Sequence, residues 1–146
     1  MRTIIQRVKH SSVSIDGEKH STIGPGIMAL IGFGHGDTSA VIEPILSKII
    51  NLRIFPDERG RFHNSLLDIK GDLMLVPQFT LFADTSRGRR PEFFEAAHPD
   101  IARPLFEETL KIAAQFPLGI VAGGVFGANM QVLLENDGPV TISIGF

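Results

Sequence analysis

Alternation of apolar and polar residues predicts that most of this chain forms β-strands. A continuous apolar run over residues 26–33 predicts a strand that is buried on both faces. The pair Asp16-Gly17 is typical of a tight turn between two strands. The predicted strands span residues 4–8, 11–15, 19–23, 26–33, 73–82, 125–135 and 140–144.

Two stretches show helical spacing instead. Apolar residues at positions 41, 45, 49 and 52 predict a helix that begins near Thr38, which would be its N-cap. Pro44 either destabilises this helix or marks its first turn. Residues 100–116 form a second, amphipathic pattern. Two main helices among many hairpin-connected strands predict an α+β fold in one domain over residues 1–146, with curved, mainly antiparallel sheets that form a barrel-like core.

Composition indicates the size of the core, the kind of partner and the cellular compartment to expect. The length of 146 residues and an apolar content of 43% are sufficient for a sizeable core. The net charge of −2 gives no global basic field, so non-specific coating of nucleic acid is not expected. Cysteine is absent, which excludes disulfides and fits a reducing cytosol. Without a signal-peptide pattern or a membrane-spanning apolar run, we expect a cytoplasmic protein with no membrane partner.

Several familiar catalytic patterns are missing. The five histidines are scattered without metal-ligand spacing, so neither a metal nor a cofactor is expected. The glycine-rich residues 32–36 lack the spacing of a dinucleotide-binding loop, and no P-loop lysine follows them. Glu107 and Glu108 are adjacent on a predicted helix and face different directions, which favours a solvated surface over a catalytic pair.

Three arginines occur within four residues, at Arg87, Arg89 and Arg90, in a chain of balanced charge. A basic loop that is interrupted by glycine can follow a phosphate backbone. It is equally typical of a solvated loop whose arginines form salt bridges. Both interpretations stay open from the residues alone.

A proline lies where the flanking pattern indicates a strand. The pair Gly138-Pro139 separates an apolar stretch at residues 131–135 from the alternating run at 140–144. Proline has no N–H for a sheet ladder, and a bond that precedes proline adopts the cis form far more readily than other peptide bonds. The pair is therefore either a tight turn between strands or a rigid device that presents carbonyl oxygens to a ligand.

A second segment, Val-Pro-Gln-Phe-Thr-Leu at residues 76–81, lies within the predicted strand 73–82. Thr80 in this segment and Thr141 beyond the Gly-Pro pair are candidate nucleophiles. Neither has an assigned base, and threonine is common in strands. Side-chain nucleophilic catalysis is therefore the weaker interpretation of these motifs.

The sequence closely resembles the D-aminoacyl-tRNA deacylases over nearly its whole length. Residues 78–81 match the end of a Ser-Gln-Phe-Thr-Leu signature, and residues 136–141 match an Asn-x-Gly-Pro-Val-Thr signature. The remaining similarity lies in residues 5–8, 34–38, 52–55, 83–85, 88–91, 126–128 and Met130.

The resemblance implies a homodimer in which the Gly-Pro pair, with a cis bond, enters the active site of the partner subunit. Gly138 and Pro139 would offer carbonyl oxygens to the α-amino group of the aminoacyl ester. They would also occupy the space that an L side chain needs, which is rejection by a fixed clash. An achiral glycyl ester would then be accepted as well as a D-aminoacyl ester.

The resemblance also implies hydrolysis through an oxyanion hole without a protein nucleophile. The backbone N–H of Phe79 would stabilise the charge on the ester carbonyl, while Gln78 and Thr80 would position the terminal ribose of the tRNA or the water. The ribose hydroxyl that neighbours the ester would help to activate this water. Phe126 and Met130 would form the adenine pocket, although ordinary core residues would give the same pattern. The resemblance also implies that three arginines contact phosphates of the tRNA, namely Arg87, Arg89 and Arg90.

Two positions depart from the family pattern. Pro77 stands where the family has serine, so a hydroxyl and a backbone donor are missing there. A related animal paralogue of relaxed chirality, active on L-alanyl-tRNA, also has this proline, but it has alanine in place of Phe79 and tyrosine in place of Val140. Asn129 replaces a more usual aspartate.

The leading hypothesis is D-aminoacyl-tRNA hydrolysis, and the alternatives are the relaxed activity and a non-catalytic tRNA-binding module.

Overall fold

The structure, a computed structural model, describes residues 1–145, and its main element is one six-stranded sheet. A separate two-stranded hairpin and three α-helices complete the regular elements of this part of the chain. The strands are β1 (Arg2–Ile15), β2 (Glu18–Ile23), β3 (Gly26–Gly32), β4 (Phe55–Pro56), β5 (Phe62–Asn64), β6 (Asp72–Pro77), β7 (Val121–Gly123) and β8 (Met130–Gly145). The helices are α1 (Ile42–Asn51), α2 (Leu66–Ile69) and α3 (Pro99–Ala113), with 3-10 turns at Ser39–Val41 and Phe79–Phe82.

The large sheet has the strand order β2-β1-β3-β6-β7, and β8 pairs with β1. All pairings of β1 are antiparallel, whereas β3–β6 and β6–β7 are parallel. The two ends of this order approach each other, because the Ser21 hydroxyl of β2 donates to the Gly123 carbonyl of β7 at 2.9 Å. The predicted α+β class with a barrel-like sheet is therefore confirmed, with a parallel portion that hairpin patterns could not predict.

The two faces of the sheet bury separate apolar clusters, as alternation along the strands requires. Leu73 and Leu75 of β6 pack with α1 and α3 on one face. Met74 and Val76 pack on the opposite face with Val13 of β1 and other residues of the barrel. The unbroken apolar run in β3 follows from burial on both faces.

Several predicted boundaries are wrong. The predicted strands 4–8 and 11–15 are one strand, β1, whose pairing with β8 shifts register near Val8. The predicted strand 73–82 ends at Pro77, and the predicted strand 125–135 begins only at Met130. Thr38 precedes a 3-10 turn and makes no side-chain cap, so α1 begins later, with Pro44 in its first turn. None of the helices in residues 1–145 is long and apolar enough to cross a membrane.

Helix α2, which the hydrophobic pattern did not predict, is held by a capping box. The Ser65 hydroxyl accepts from the Asp68 N–H at 3.1 Å, and Asp68 Oδ2 accepts from the Ser65 N–H at 2.8 Å. The N–H of Ser65 and its hydroxyl, which donates at 2.9 Å, both bind the Asp68 carboxylate and hold its pKa below the usual value of 3.8. The ionised carboxylate is therefore the form that stabilises this helix.

We expect Asp68→Asn to lower stability at neutral pH and to make it less dependent on pH in the acid range. A lowered folded pKa gives stabilisation above pH 3.8 that is lost as the pH falls through the folded pKa. Urea unfolding at pH 7 and at pH 3 should therefore show a difference between wild type and variant that shrinks on acidification. Glu58→Gln, which removes an exposed carboxylate in a turn, is the matched control. A difference that is constant with pH would contradict the role of the carboxylate.

Candidate functional site

A cavity of about 820 Å³ opens where β6 ends. Its wall combines the end of β6, the 3-10 turn that follows, the start of α3 and the turn that precedes β8. Most of the lining is apolar, as is usual for a pocket that binds an organic ligand. Its lining residues are Val76, Pro77, Gln78, Phe79, Phe93, Ala96, Ala97, His98, Pro99, Ala102, Arg103, Phe126, Gly127, Ala128, Asn129, Met130 and Val132.

Pro77 ends strand β6 at the cavity wall without the loss of a ladder bond. The N–H of Leu73 points towards β7, where it donates to the Ile120 carbonyl at 2.8 Å, and the backbone N of Pro77 points to the same side by alternation. Because the pairing with β7 stops at Leu75, no strand is left on that side to accept a bond. Pro77 itself brings neither an N–H nor a hydroxyl to the cavity wall.

The segment that follows Pro77 turns away from the sheet. The Gln78 N–H still donates to the Ile31 carbonyl at 2.7 Å, and its side chain then donates to the Thr80 hydroxyl. Phe79 begins the 3-10 turn, and its N–H donates to no acceptor within residues 1–145, as is usual for the first donors of a helical turn. The Phe79 ring is 54% exposed and packs edge-on against Phe93, with ring centroids 5.0 Å apart. Gln78, Phe79 and Thr80 are thus brought together, with Gln78 and Phe79 in the cavity wall.

The opposite part of the cavity wall holds Phe126 and Met130. The Met130 sulfur accepts from the Val125 N–H at 3.3 Å, which closes the turn that carries Phe126. The guanidinium of Arg103 in α3 lies 5.0 Å from the centre of the Phe126 ring and donates to the Phe126 carbonyl at 3.2 Å. An aromatic face, a thioether and a cation therefore border one part of the cavity.

The arginine loop, defined here as residues 84–92, is closed at its base by two backbone hydrogen bonds. Asp84 and Glu92 exchange N–H and carbonyl groups at 2.8 and 3.0 Å. The Asp84 carboxylate accepts from the Ser86 N–H at 2.9 Å, and this bond lowers the pKa of Asp84 below its usual value of 3.8. The loop is exposed throughout, and within residues 1–145 none of its three guanidinium groups pairs with a carboxylate.

The Gly-Pro pair lies inside β8 and not in a turn between two strands. Gln6 pairs with Thr141 and Val8 with Asn136, so the residues from Asp137 to Val140 oppose a single residue of β1. Such an excess on one strand is a bulge that projects from the ladder. The Gly138–Pro139 bond is cis, and both residues are exposed.

One side chain, Asn136, supplies the hydrogen bonds that the interrupted ladder cannot. Its Oδ1 accepts from the Val140 N–H at 2.7 Å, and its Nδ2 donates to the Val140 carbonyl at 3.2 Å. The same Nδ2 lies 3.0 Å from Gln6 Oε1 and 3.1 Å from the Thr141 hydroxyl. Thr141 is therefore a partner of the bulge and no part of the cavity wall, and none of the hydrogen bonds within residues 1–145 joins its hydroxyl to a His, Lys or carboxylate side chain.

Arg7, the β1 residue opposite the bulge, forms hydrogen bonds that hold it. The residue is 8% exposed, and its side chain donates from Nε to the Asp137 carbonyl at 2.7 Å and from Nη1 to the Ile54 carbonyl at 2.5 Å. Gly138 has a φ of +151°, and an added Cβ would lie 2.7 Å from the Val140 nitrogen. Only glycine fits that position without displacement of the backbone.

The structure does not bring the Gly-Pro pair to the cavity of its own chain. Arg7, opposite the bulge, pairs with Ile27 of β3, which pairs with Leu73 at the start of β6, whereas the cavity wall begins at Val76 of β6. Three residues of strand separate these rows, about 10 Å along the sheet. Gly138 and Pro139 are absent from the cavity wall.

Sequence analysis missed the part of the cavity wall that residues 93–103 contribute, including Phe93, His98 and Arg103. His98 is the N-cap of α3, and its Nδ1 accepts from the Asp100 N–H at 3.3 Å. The order His98-Pro99-Asp100 was a readable helix start, but nothing in it indicated a cavity. Within residues 1–145, no three His, Asp or Glu side chains converge as metal ligands.

Comparison with known proteins gives consistent results. Residues 4–145 match the family described as D-Tyr-tRNA(Tyr) deacylase. The D-aminoacyl-tRNA deacylase of Roseiflexus castenholzii is 54% identical over 143 residues, which cover 97% of this chain and 90% of that protein. The corresponding protein of Chlorobaculum tepidum is 52% identical over 145 residues, which cover 97% of this chain and 95% of that protein.

Solved structures show the same fold. The c-Myc DNA Unwinding Element Binding Protein superposes with a TM-score of 0.93 at 36% identity, covering 100% of this chain and 99% of that one. A probable eukaryotic D-amino acid tRNA deacylase superposes with a TM-score of 0.86 at 17% identity, over 98% of this chain and 97% of that one. The second similarity is informative for the fold alone.

We expect Asn136→Ala to destabilise the bulge by about 1–3 kcal/mol, because the N–H and carbonyl of Val140 lose their partner. Asn136→Asp keeps the acceptor for the Val140 N–H and loses the amide donor. Amide hydrogen exchange should therefore show Val140 protection lost in the alanine variant and retained in the aspartate variant. Asn51→Ala, which removes an exposed local hydrogen bond, serves as the control. Equal protection of Val140 in all variants would contradict this account of the bulge.

Proposed function

The chain belongs to the D-Tyr-tRNA(Tyr) deacylase family, and we propose that it hydrolyses the ester bond of D-aminoacyl-tRNA, releasing the free D-amino acid and tRNA. Family membership makes it a hydrolase. The curated relatives that are about half identical over nearly the full chain carry the name of this activity. Such an activity removes D-amino acids from translation and places the protein in the cytoplasm.

The observation that carries the proposal is that Phe79 lines the cavity and that its N–H donates to no acceptor within residues 1–145. A backbone donor that is fixed by a rigid turn can stabilise the oxyanion that forms when water attacks the ester carbonyl. The turn is held by Gln78, whose backbone is tied to β3 and whose side chain contacts Thr80. Gln78 and Thr80 would position the terminal ribose or the water, and the neighbouring ribose hydroxyl would assist the attack.

The terminal adenine would occupy the part of the cavity bordered by Phe126 and Met130. An aromatic face and a polarisable thioether suit a stacked base. The arginines Arg87, Arg89 and Arg90 would contact tRNA phosphates outside the cavity, since they are exposed and not engaged by carboxylates within residues 1–145.

Selection of chirality would fall to Gly138 and Pro139 of a second copy of the chain. Both residues project from β8 and are exposed, but they lie away from the cavity of their own chain. In a homodimer they would enter the partner's cavity, where their carbonyl oxygens would hold the α-amino group and exclude an L side chain. A glycyl ester, which has no side chain to exclude, would also be hydrolysed.

Pro77 is the one observation that favours a second candidate, a deacylase of relaxed chirality that also accepts L-alanyl-tRNA. It lines the cavity and lacks the N–H and hydroxyl of the family's serine. Phe79 and Val140, in contrast, match the D-specific pattern. A third candidate is a non-catalytic nucleic-acid-binding module, which would use the arginine loop without turnover.

The purified protein should release D-amino acid and glycine from charged tRNA in many turnovers and leave L-aminoacyl-tRNA intact. Ester loss from D-aminoacyl-, L-alanyl-, other L-aminoacyl- and glycyl-tRNA would be followed in parallel, with uncatalysed hydrolysis subtracted. Equal rates for D- and L-esters would rule out D-specificity. Rapid loss of L-alanyl-tRNA would favour the relaxed enzyme, and tRNA binding without turnover would favour the binding module.

Thr80→Ala should reduce kcat by less than about tenfold if the backbone and the tRNA supply the catalysis. Removal of a nucleophile costs on the order of 10³-fold or more, so the two mechanisms are well separated. Thr80→Ser keeps the hydroxyl that Gln78 contacts and is the matched control. A collapse of kcat in the alanine variant alone, with an unchanged melting temperature, would indicate a threonine nucleophile.

A further inference from the structure

Arg103 is the only Arg, Lys, Asp or Glu side chain in the cavity wall formed by the described residues. It lies in α3 beside Phe126, and its Nη1 donates to the Phe126 carbonyl at 3.2 Å while the guanidinium lies over the ring at 5.0 Å. A guanidinium has five N–H donors in a planar fork. One bond to a carbonyl therefore leaves most of its donors for a ligand in the cavity.

These contacts fix the guanidinium in place before any ligand arrives. The Phe126 ring and carbonyl hold it on two sides, and the residue stays exposed on the cavity side of α3. Its nearest acidic neighbour on this turn, Asp100, has a side chain that is 90% exposed and lies 3.3 Å from His98. The positive charge of Arg103 thus has no carboxylate partner within residues 1–145.

We propose that Arg103 binds the phosphate that joins the terminal adenosine of the substrate to the preceding nucleotide. This inference rests on the proposed function, because it assumes an adenosine between Phe126 and Met130. A planar guanidinium matches the oxygens of a phosphodiester in a bidentate way that a lysine does not. Arg103 would thereby distinguish an aminoacylated RNA end from a free aminoacyl nucleoside, a task separate from that of the arginine loop.

The test compares two small substrates, a D-aminoacyl ester of adenosine and the same ester with a methyl phosphate at the 5′ position. Wild type should prefer the phosphorylated ester in kcat/KM by on the order of tenfold, mostly through KM, since a charge-assisted pair contributes at least that much. Arg103→Met should reduce this preference to about one, whereas Arg103→Lys should retain part of it. Arg59→Met, in a distant exposed turn, should leave the preference unchanged.

Each other outcome is informative. An Arg103→Met variant that loses activity equally on both esters would show that Arg103 acts only through Phe126, and it would overturn the proposal. A wild type without preference for the phosphate would overturn it without any variant. Absence of turnover with every ester and with charged tRNA would instead remove the proposed function itself. Melting temperatures confirm that each variant is folded.

Discussion

A strand that contains proline in its interior must satisfy the backbone groups that the proline removes from the ladder, and much of this structure follows from how β8 does so. The residues from Asp137 to Val140 face only Arg7, so their backbone groups cannot pair with β1 in register. Asn136 binds both the N–H and the carbonyl of Val140, and Arg7 binds the carbonyl of Asp137. Without these side chains, the N–H and carbonyl of Val140 and the carbonyl of Asp137 would lose partners at a part-buried position, which costs stability.

The same bonds link the bulge to the rest of the fold. Arg7 also donates to the Ile54 carbonyl in the segment after α1, and its guanidinium lies 5.7 Å from the Phe62 ring of β5. A buried arginine is costly unless its donors are well used, and here two carbonyls accept from Arg7 while the Asp137 carboxylate lies 3.7 Å from its Nε. Its partners therefore fix the small hairpin, β1 and β8 relative to one another. The bulge is thus held to the rest of the fold through Arg7 and Asn136.

At the other end of the sheet, the cavity depends on a strand that stops early. Strand β7 pairs with β6 only up to Leu75, which leaves one side of Pro77 free of a neighbour. A proline there loses no ladder bond, and the chain then leaves the extended conformation at Gln78, with φ −148° and ψ 86°. The departure of this sequence from the family serine is thus compatible with the sheet, and its chemical consequence is confined to the cavity wall.

The hydrophobic pattern predicted the strands and main helices well wherever burial alone decides structure. It failed where a hydrogen bond or a proline decides. The strand predicted through Phe82 ends at Pro77 because the neighbouring strand ends, which is a tertiary fact. The capping box of α2 is visible in the sequence as Ser65 followed by Asp68. The helix has only four residues, however, which are too few to show helical spacing of apolar residues. Arg103 carried no signal, since its role depends on the meeting of α3 with the Phe126 turn.

The distance between the Gly138-Pro139 bulge and the turn at Phe79 limits how these two segments can act together. Their separation along the sheet is set by ladder register, and a slip of register would turn every core side chain to the wrong face. Neither motif can move towards the other without loss of that register. On the proposal above, the bulge of one copy would therefore meet the cavity of another. An exposed bulge that is held in place by Asn136 and Arg7 suits such a contribution, because a flexible loop would lose ordering entropy on each encounter.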